Sequence, residues 1–230
     1  MSGSGAGLAV VADAHLGGPG GAAAPLVRQL DALADAGVGR LVLLGDLLQV
    51  WVGFRQYETP DVRALLEAVG RLRARGVRVD YVEGNRDFFL SEGPYAGAFD
   101  SVGTETSAVA GGVRYLFVHG DGLNDRDRQY LAWRWLSKSW GVKSVIRTLP
   151  ESVVGRFVHG TERRLSGTNF KHKARVPEEA ITRYAERRLA EGHDVLVLGH
   201  FHEPRVWRVE GGEVRLLDAW FRSRRVERLG

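Results

Sequence analysis

The chain has 230 residues, 44% of them hydrophobic, with no cysteine and a formal charge of +4. That is enough for one sizeable α/β core, and it excludes disulfides and thiolate metal sites. No uncharged apolar run reaches the roughly 18 to 20 residues of a membrane span, because the best candidate, LVLLGDLLQVWVGF, carries Asp46.

In chain order, the opening MSGSGAGLAVVADAH lacks a basic region ahead of its apolar run, so a signal peptide is not expected. GLAVVA then reads as a strand buried on both faces, and RLVLL, VRVDYV, VRYLFV and DVLVL repeat the pattern. Helical spacing places helices over Pro25 to Ala36, Asp61 to Arg75, and Pro177 to Ala190. Strand–helix–strand alternation predicts right-handed crossovers and a largely parallel sheet. Hairpins are expected through Gly111-Gly112 and Gly211-Gly212. The stretch from about Asn124 to Arg175 fits no strand pattern and is expected to be helical, divided by Pro150 and Gly160. Between Arg128 and Arg175 it holds eleven Lys/Arg against Glu151 and Glu162, a local +9 that leaves −5 for the rest. Such a basic, tryptophan-rich segment packs into a core or forms a lid that meets anionic partners.

Each apolar strand ends in metal-donor residues. Asp13 and His15 follow the first, Asp46 the second, Asn85 the third, His119 the fourth, and His200 with His202 the fifth. Ligands of open α/β sheets sit at such strand ends. One aspartate or histidine there is ordinary, but five strand ends carrying oxygen and imidazole donors suit one or two divalent ions. His159, His172 and His193 fall outside the set and are expected at the solvated surface.

The ordered motifs DAHLG, GD, GNRD, HGD and GHFH span nearly the whole chain. They resemble the calcineurin-like metallophosphoesterases, whose pattern is D-x-H, G-D, G-N-[HR]-[DE], a later His, and G-H-x-H. The resemblance implies an α/β fold, a four-layer α-β-β-α metallophosphoesterase sandwich over 1–230 with a dinuclear centre. It assigns one metal to Asp13, His15 and His202 and the other to Asn85, His119 and His200, with Asp46 between them. Two divalent ions against two carboxylates leave a positive site for an anionic phosphate. Arg86, Asp46 and His119 are the expected catalytic residues. Many members of the family carry histidine where this chain has Arg86. A guanidinium keeps its proton but clamps phosphate oxygens, which suits a leaving group that needs no protonation. A pyrophosphate bond is the natural target.

Within that family, GNRDF, HGDGLNDRDRQY, the insertion that follows and the C-terminal AW resemble the UDP-2,3-diacylglucosamine pyrophosphatases of lipid A biosynthesis. This finer likeness implies release of UMP and 2,3-diacylglucosamine 1-phosphate from a lipid-linked nucleotide sugar. It also implies two divalent ions, Mn²⁺ first among them, and a helical lid insertion at about 124–175. The location it implies is cytoplasmic, peripheral on the inner membrane, with contact to anionic lipid. Substrate contacts are expected from Asn85, Arg86, Asp127, Tyr130, Ser166, Asn169, Lys171, Lys173 and His200. FHEP and Asp218 depart from the pattern, where arginine and glycine are common. The alternative is a metallophosphoesterase for another nucleotide, a phosphomonoester or nucleic acid. Nucleic acid is not the expected partner. A non-catalytic scaffold is a third reading, but scaffolds of this fold lose ligands and none is missing here.

Overall fold

A computed structural model describes residues 7–124, 128–149 and 176–230, leaving aside the side chains of 128–131 and 133. The first elements are β1 (Gly7–Val11), α1 (Ala24–Asp31), β2 (Val38–Leu44), β3 (Trp51–Val52), α2 (Pro60–Ala74) and β4 (Arg78–Val82). Then come β5 (Asp87–Phe88), β6 (Ser101–Gly103), β7 (Glu105–Ala110), β8 (Val113–Val118), α3 (Arg128–Ser137) and α4 (Trp140–Thr148). The last are α5 (Glu178–Leu189), β9 (Val195–Leu198), β10 (Arg205–Val209), β11 (Gly212–Leu216), α6 (Trp220–Ser223) and β12 (Glu227–Leu229).

The strands form two five-stranded sheets, ordered β12-β1-β2-β4-β6 and β10-β11-β9-β8-β7. The first is parallel except for β12, as the βα alternation predicts. The second is mixed: β8, β9 and β11 are parallel, while hairpins make both edges antiparallel. Side-chain parity explains the layering. Leu8, Val10 and Ala12 meet Ala108, Tyr115, Phe117, Val195 and Val197 between the sheets. Ala9 and Val11 face the other way, onto Leu26 and Leu30 of α1 and Val62, Leu65 and Val69 of α2. Leu116, Leu196, Leu198 and Val214 bury the outer face of the second sheet against Ile181, Ala185 and Leu189 of α5. The result is a four-layer α-β-β-α sandwich. The parallel pair β3-β5 stands apart and carries α4, whose Val142 and Ile146 pack on Val52, Phe54, Tyr57, Phe88 and Phe89.

Two local expectations shift. The first helix ends at Asp31 rather than Ala36, because the chain must turn before β2 and does so through 32–37 to Gly37, φ 76°. The second hairpin turns at Glu210-Gly211, since Val209 pairs with Gly212. Gly211 supplies the positive φ of 84°. Gly212 is glycine for another reason: a Cβ there would lie 2.1 Å from Asp194 O.

Candidate metal centre

The loops after β1 and β2 continue the parallel pairing beyond the strands. Asp13 N donates to Gly45 O at 3.1 Å, His15 N to Asp46 O at 3.1 Å, and Leu16 N to Leu47 O at 2.9 Å. This fixes Asp13, His15 and Asp46 in register with one another. Asp13 then reaches the second sheet, where its Oδ2 accepts from His200 N at 2.8 Å. Both sheets therefore contribute to one site.

Seven non-glycine residues among those described have a positive φ, and five are Asp13 (52°), His15 (47°), Asp46 (54°), His200 (68°) and His202 (56°). Each such conformation costs about 1 kcal/mol or more and persists only where its surroundings over-determine it. The loop hydrogen bonds just described do so for Asp13, His15, Asp46 and His200.

Asp13, His15 and His202 bring one ligating atom apiece within 4.8 Å of each other, and so do Asp13, Asp46 and His119. Asp13 is common to both clusters. His202 Nε2 lies 3.1 Å from Asp13 Oδ1 and 3.4 Å from His15 Nε2, while His119 Nε2 lies 3.6 Å from Asp46 Oδ1. His119 Nδ1 faces Leu44 O at 2.9 Å. In the neutral ring, donation there leaves Nε2 as the lone-pair nitrogen turned toward the carboxylates. The His200 ring stands edge-on to His119, with centroids 5.3 Å apart.

These residues fit a divalent ion. His119 Nε2 and Asn85 Oδ1 are buried with no hydrogen-bond partner among the described residues, although buried polar atoms are nearly always paired. The donors are oxygen and imidazole nitrogen, as first-row divalent ions require. Two motif glycines keep the cradle open. A Cβ on Gly84 would sit 2.3 Å from Asp46 Oδ1 and 2.9 Å from His119 Nε2, and one on Gly199 would sit 2.8 Å from Asp13 Oδ2.

Charge organises the same groups. Burial alone would raise the pKa of Asp13, but the nearby imidazoles of His15, His202 and His119, with His202 at 3.1 Å, hold it well below the ordinary range. Burial likewise opposes ionisation of Asp46, and the charge of His119, 3.6 Å away, outweighs it. His119 responds in kind. Burial would lower its pKa, yet Asp46 first, then Asp13 and Asp121, push it up to about 10. In the metal-free protein the imidazolium is thus the counter-ion of the two carboxylates. Its stabilising contribution is complete below the ordinary histidine pKa and is lost as pH rises through about 10. The melting temperature of chelator-treated protein is expected to fall between pH 7 and pH 10, and the metal-loaded protein to fall less. Differential scanning calorimetry across that range checks this.

Arg86 lies beside the cluster. Its backbone N–H donates to Asp46 Oδ1 at 2.9 Å, its Nε lies 3.4 Å from Asp46 Oδ2, and its Nη1 donates to Gln49 O at 3.1 Å. Asp127, Ser166, Asn169, Lys171, Lys173 and the side chain of Tyr130 lie outside the described residues.

Sequence reasoning passed over several supporting groups. Asp87, quoted within GNRD, accepts from Gly84 N at 2.8 Å and Asp46 N at 3.0 Å through one buried oxygen, tying the β4 and β2 loops together. Burial first, then repulsion from Asp46, raises its pKa to about 7, while those two amides oppose the shift. Asp121, two residues after His119, pairs with Arg134 of α3. One helical turn on, Lys138 donates to Gly84 O at 2.8 Å. The i, i+4 spacing of Arg134 and Lys138 signalled one polar helix face, but nothing in the sequence said where it docks.

No protein-family model matches the chain. A UDP-2,3-diacylglucosamine hydrolase from Ralstonia nicotianae is 30% identical over 198 residues, 78% of this chain and 71% of that protein. One from Pseudomonas putida is 30% identical over 192 residues, 79% of this chain and 78% of that protein. Among solved structures, the phosphopantetheinyl hydrolase of Mycobacterium tuberculosis superposes with a TM-score of 0.45 at 14% identity, over 97% of this chain and 95% of its own. Identity at this level over more than two thirds of full-length relatives makes the chain a member of the UDP-2,3-diacylglucosamine hydrolase family.

Proposed function

We propose that the chain hydrolyses the pyrophosphate bond of UDP-2,3-diacylglucosamine, yielding UMP and 2,3-diacylglucosamine 1-phosphate, in lipid A biosynthesis. The observation that carries this reading is an array of Asp, His and Asn at five strand ends, largely buried and with strained backbone at five of its residues, in a chain related to hydrolases named for that substrate. In the proposed ligand set Asp13, His15 and His202 hold one ion and Asn85, His119 and His200 the other. Asp46 serves both, and Mn²⁺ is the expected metal. When bound, the ions supply Lewis-acid charge and acidify the attacking water. The residues do the rest. Arg86 meets phosphoryl oxygens and offsets charge that develops on the leaving phosphate. Asp46 holds the Arg86 backbone, and Asp87 holds the amide of Asp46.

Among the described residues no helix is long and apolar enough to cross a membrane. We place the contact with lipid on α3 and α4, as part of a helical lid extending over 124–175. Their inner face is occupied, with Arg134 and Lys138 on the strand-end loops and Val142 and Ile146 on the β3-β5 layer. Their outer face presents Trp135 and Trp140, 75% and 80% exposed, with Leu136 and Val145. These apolar side chains stand in the same basic run as Lys143 and Arg147. Acyl chains or an anionic leaflet complement that surface. Lys and Arg contribute about 1 kcal/mol each at such a membrane, an attraction that salt screens. The proposed location is the cytoplasmic face of the inner membrane. The remaining substrate contacts are assigned to His200, Asp127, Tyr130, Ser166, Asn169, Lys171 and Lys173.

The test is purified protein with Mn²⁺ assayed against UDP-2,3-diacylglucosamine, UDP-sugars without acyl chains, and p-nitrophenyl phosphate. Hydrolysis of the first, well ahead of the others, is the expected result. Exchanging Trp135 and Trp140 for serine is expected to lower the preference for acylated over unacylated nucleotide sugar by about tenfold or more, as loss of one buried aromatic contact would. Sedimentation with anionic vesicles is expected to weaken in the same variant and in high salt. An unchanged preference would remove the lipid role of this face.

A further inference from the structure

Two neighbouring residues of α6 face different surroundings. Trp220 is fully buried in the core of the first sheet, and its indole N–H donates to Gln29 Oε1 at 3.2 Å. Phe221 is half-buried and belongs to none of the apolar clusters formed by the described residues. Its ring packs on imidazoles instead. The centroid lies 5.3 Å from that of His15 at 86°, and 5.2 Å from that of His202 at 82°. The two imidazoles stand 5.2 Å apart at 80°. Three rings are thus mutually perpendicular, each pair in the edge-to-face arrangement that aromatic quadrupoles favour.

The backbone of α6 fixes this triad to the strand end. Trp220 N donates to Ala12 O at 3.0 Å and Phe221 N to Asp13 O at 3.2 Å. Arg222 donates to His202 O at 2.7 Å, bracing one of the residues with positive φ. An imidazole ring has a broad χ2 well and turns freely unless something packs against it. Here one phenyl ring limits two imidazoles whose Nε2 atoms converge beside Asp13 Oδ1. Among the described residues it makes no ring contact with His119 or His200.

We infer that Phe221 is a positioning residue for one half of the metal centre, the Asp13–His15–His202 half, through the imidazoles of His15 and His202. The inference rests on the metal reading above. Outer-shell groups that orient metal ligands change affinity by about 10–100-fold when removed. The experiment is a Mn²⁺ titration of metal-stripped protein, followed by metal content and by the electron paramagnetic resonance signal of bound Mn²⁺. Phe221→Ala is expected to weaken one of two sites by about 10–100-fold and the other clearly less, the two being linked through Asp13 and, in the proposed ligand set, Asp46. Phe221→Tyr, which keeps the ring, is expected to bind both ions nearly as the parent does. In a His15→Ala background, Phe221→Ala is expected to alter the remaining site by no more than about twofold, because the half it serves is already lost. Equal weakening of both sites, no weakening, or the same loss in the His15→Ala background would overturn the inference alone. A parent chain that takes up no Mn²⁺ would overturn it together with the metal reading. Should Phe221→Ala not fold, Phe221→Leu keeps the apolar volume without the ring edge and is read by the same criteria.

Discussion

Asp46→Asn is expected to lower kcat by at least about 10³-fold while the protein remains folded. Asparagine has the same shape, tolerates the left-handed backbone that Asp46 adopts at φ 54°, and can still accept from Arg86 N through Oδ1. What it loses is the charge. Metal-assisted stabilisation of the displacement contributes several kcal/mol, and about 4 kcal/mol corresponds to 10³ in rate. Two measurements separate this from unfolding. Far-UV circular dichroism should match the parent, and the rise in melting temperature on adding Mn²⁺ should shrink, since that rise reports ion binding to the folded state. Chelation of the parent should abolish activity in the same way, with Mn²⁺ restoring it. Full activity of Asp46→Asn, or of the parent in metal-free buffer, would end the metal reading.

Arg86→Ala is expected to cut kcat by about 10²–10³, the range for losing one preorganised donor. Arg86 is already oriented, one nitrogen on Gln49 O and another beside Asp46 Oδ2. A guanidinium can hold both and still present N–H groups to phosphate, whereas a lysine ammonium is a single point with three donors. Arg86→Lys should therefore recover only part of the loss, and in kcat more than in KM. A lysine variant equal to the parent would show that net charge alone matters at this position.

Why the site was legible and parts of the fold were not follows from what each depends on. Asp13, Asp46, Asn85, His119 and His200 each follow an apolar run of five or six residues, so chain order alone placed them at strand ends. Parallel pairing then puts those ends on one side. The strands β3, β5, β6 and β12 are two or three residues long, too short to show a period, and they form only because larger elements bring them together. The division into two sheets was not readable from the βα alternation. It arises because β8 pairs with β9, and β9 with β11, rather than with the earlier strands, and an apolar run does not say which sheet it joins. Phe221 was hidden for a similar reason, because the tryptophan before it carried the visible signal and a four-residue helix decides which way each ring faces.

The backbone at the proposed ligand positions bears on how such a chain would drift. Five side chains are held at φ values near +50° to +70°, where glycine sits without cost and asparagine or aspartate more easily than histidine. Were variants of this protein selected for heat resistance in metal-free medium, where bound ions cannot stabilise the fold, and with catalysis unmonitored, glycine or asparagine should be admitted at these positions more readily than at positions with negative φ. The most heat-stable descendants would then be inactive.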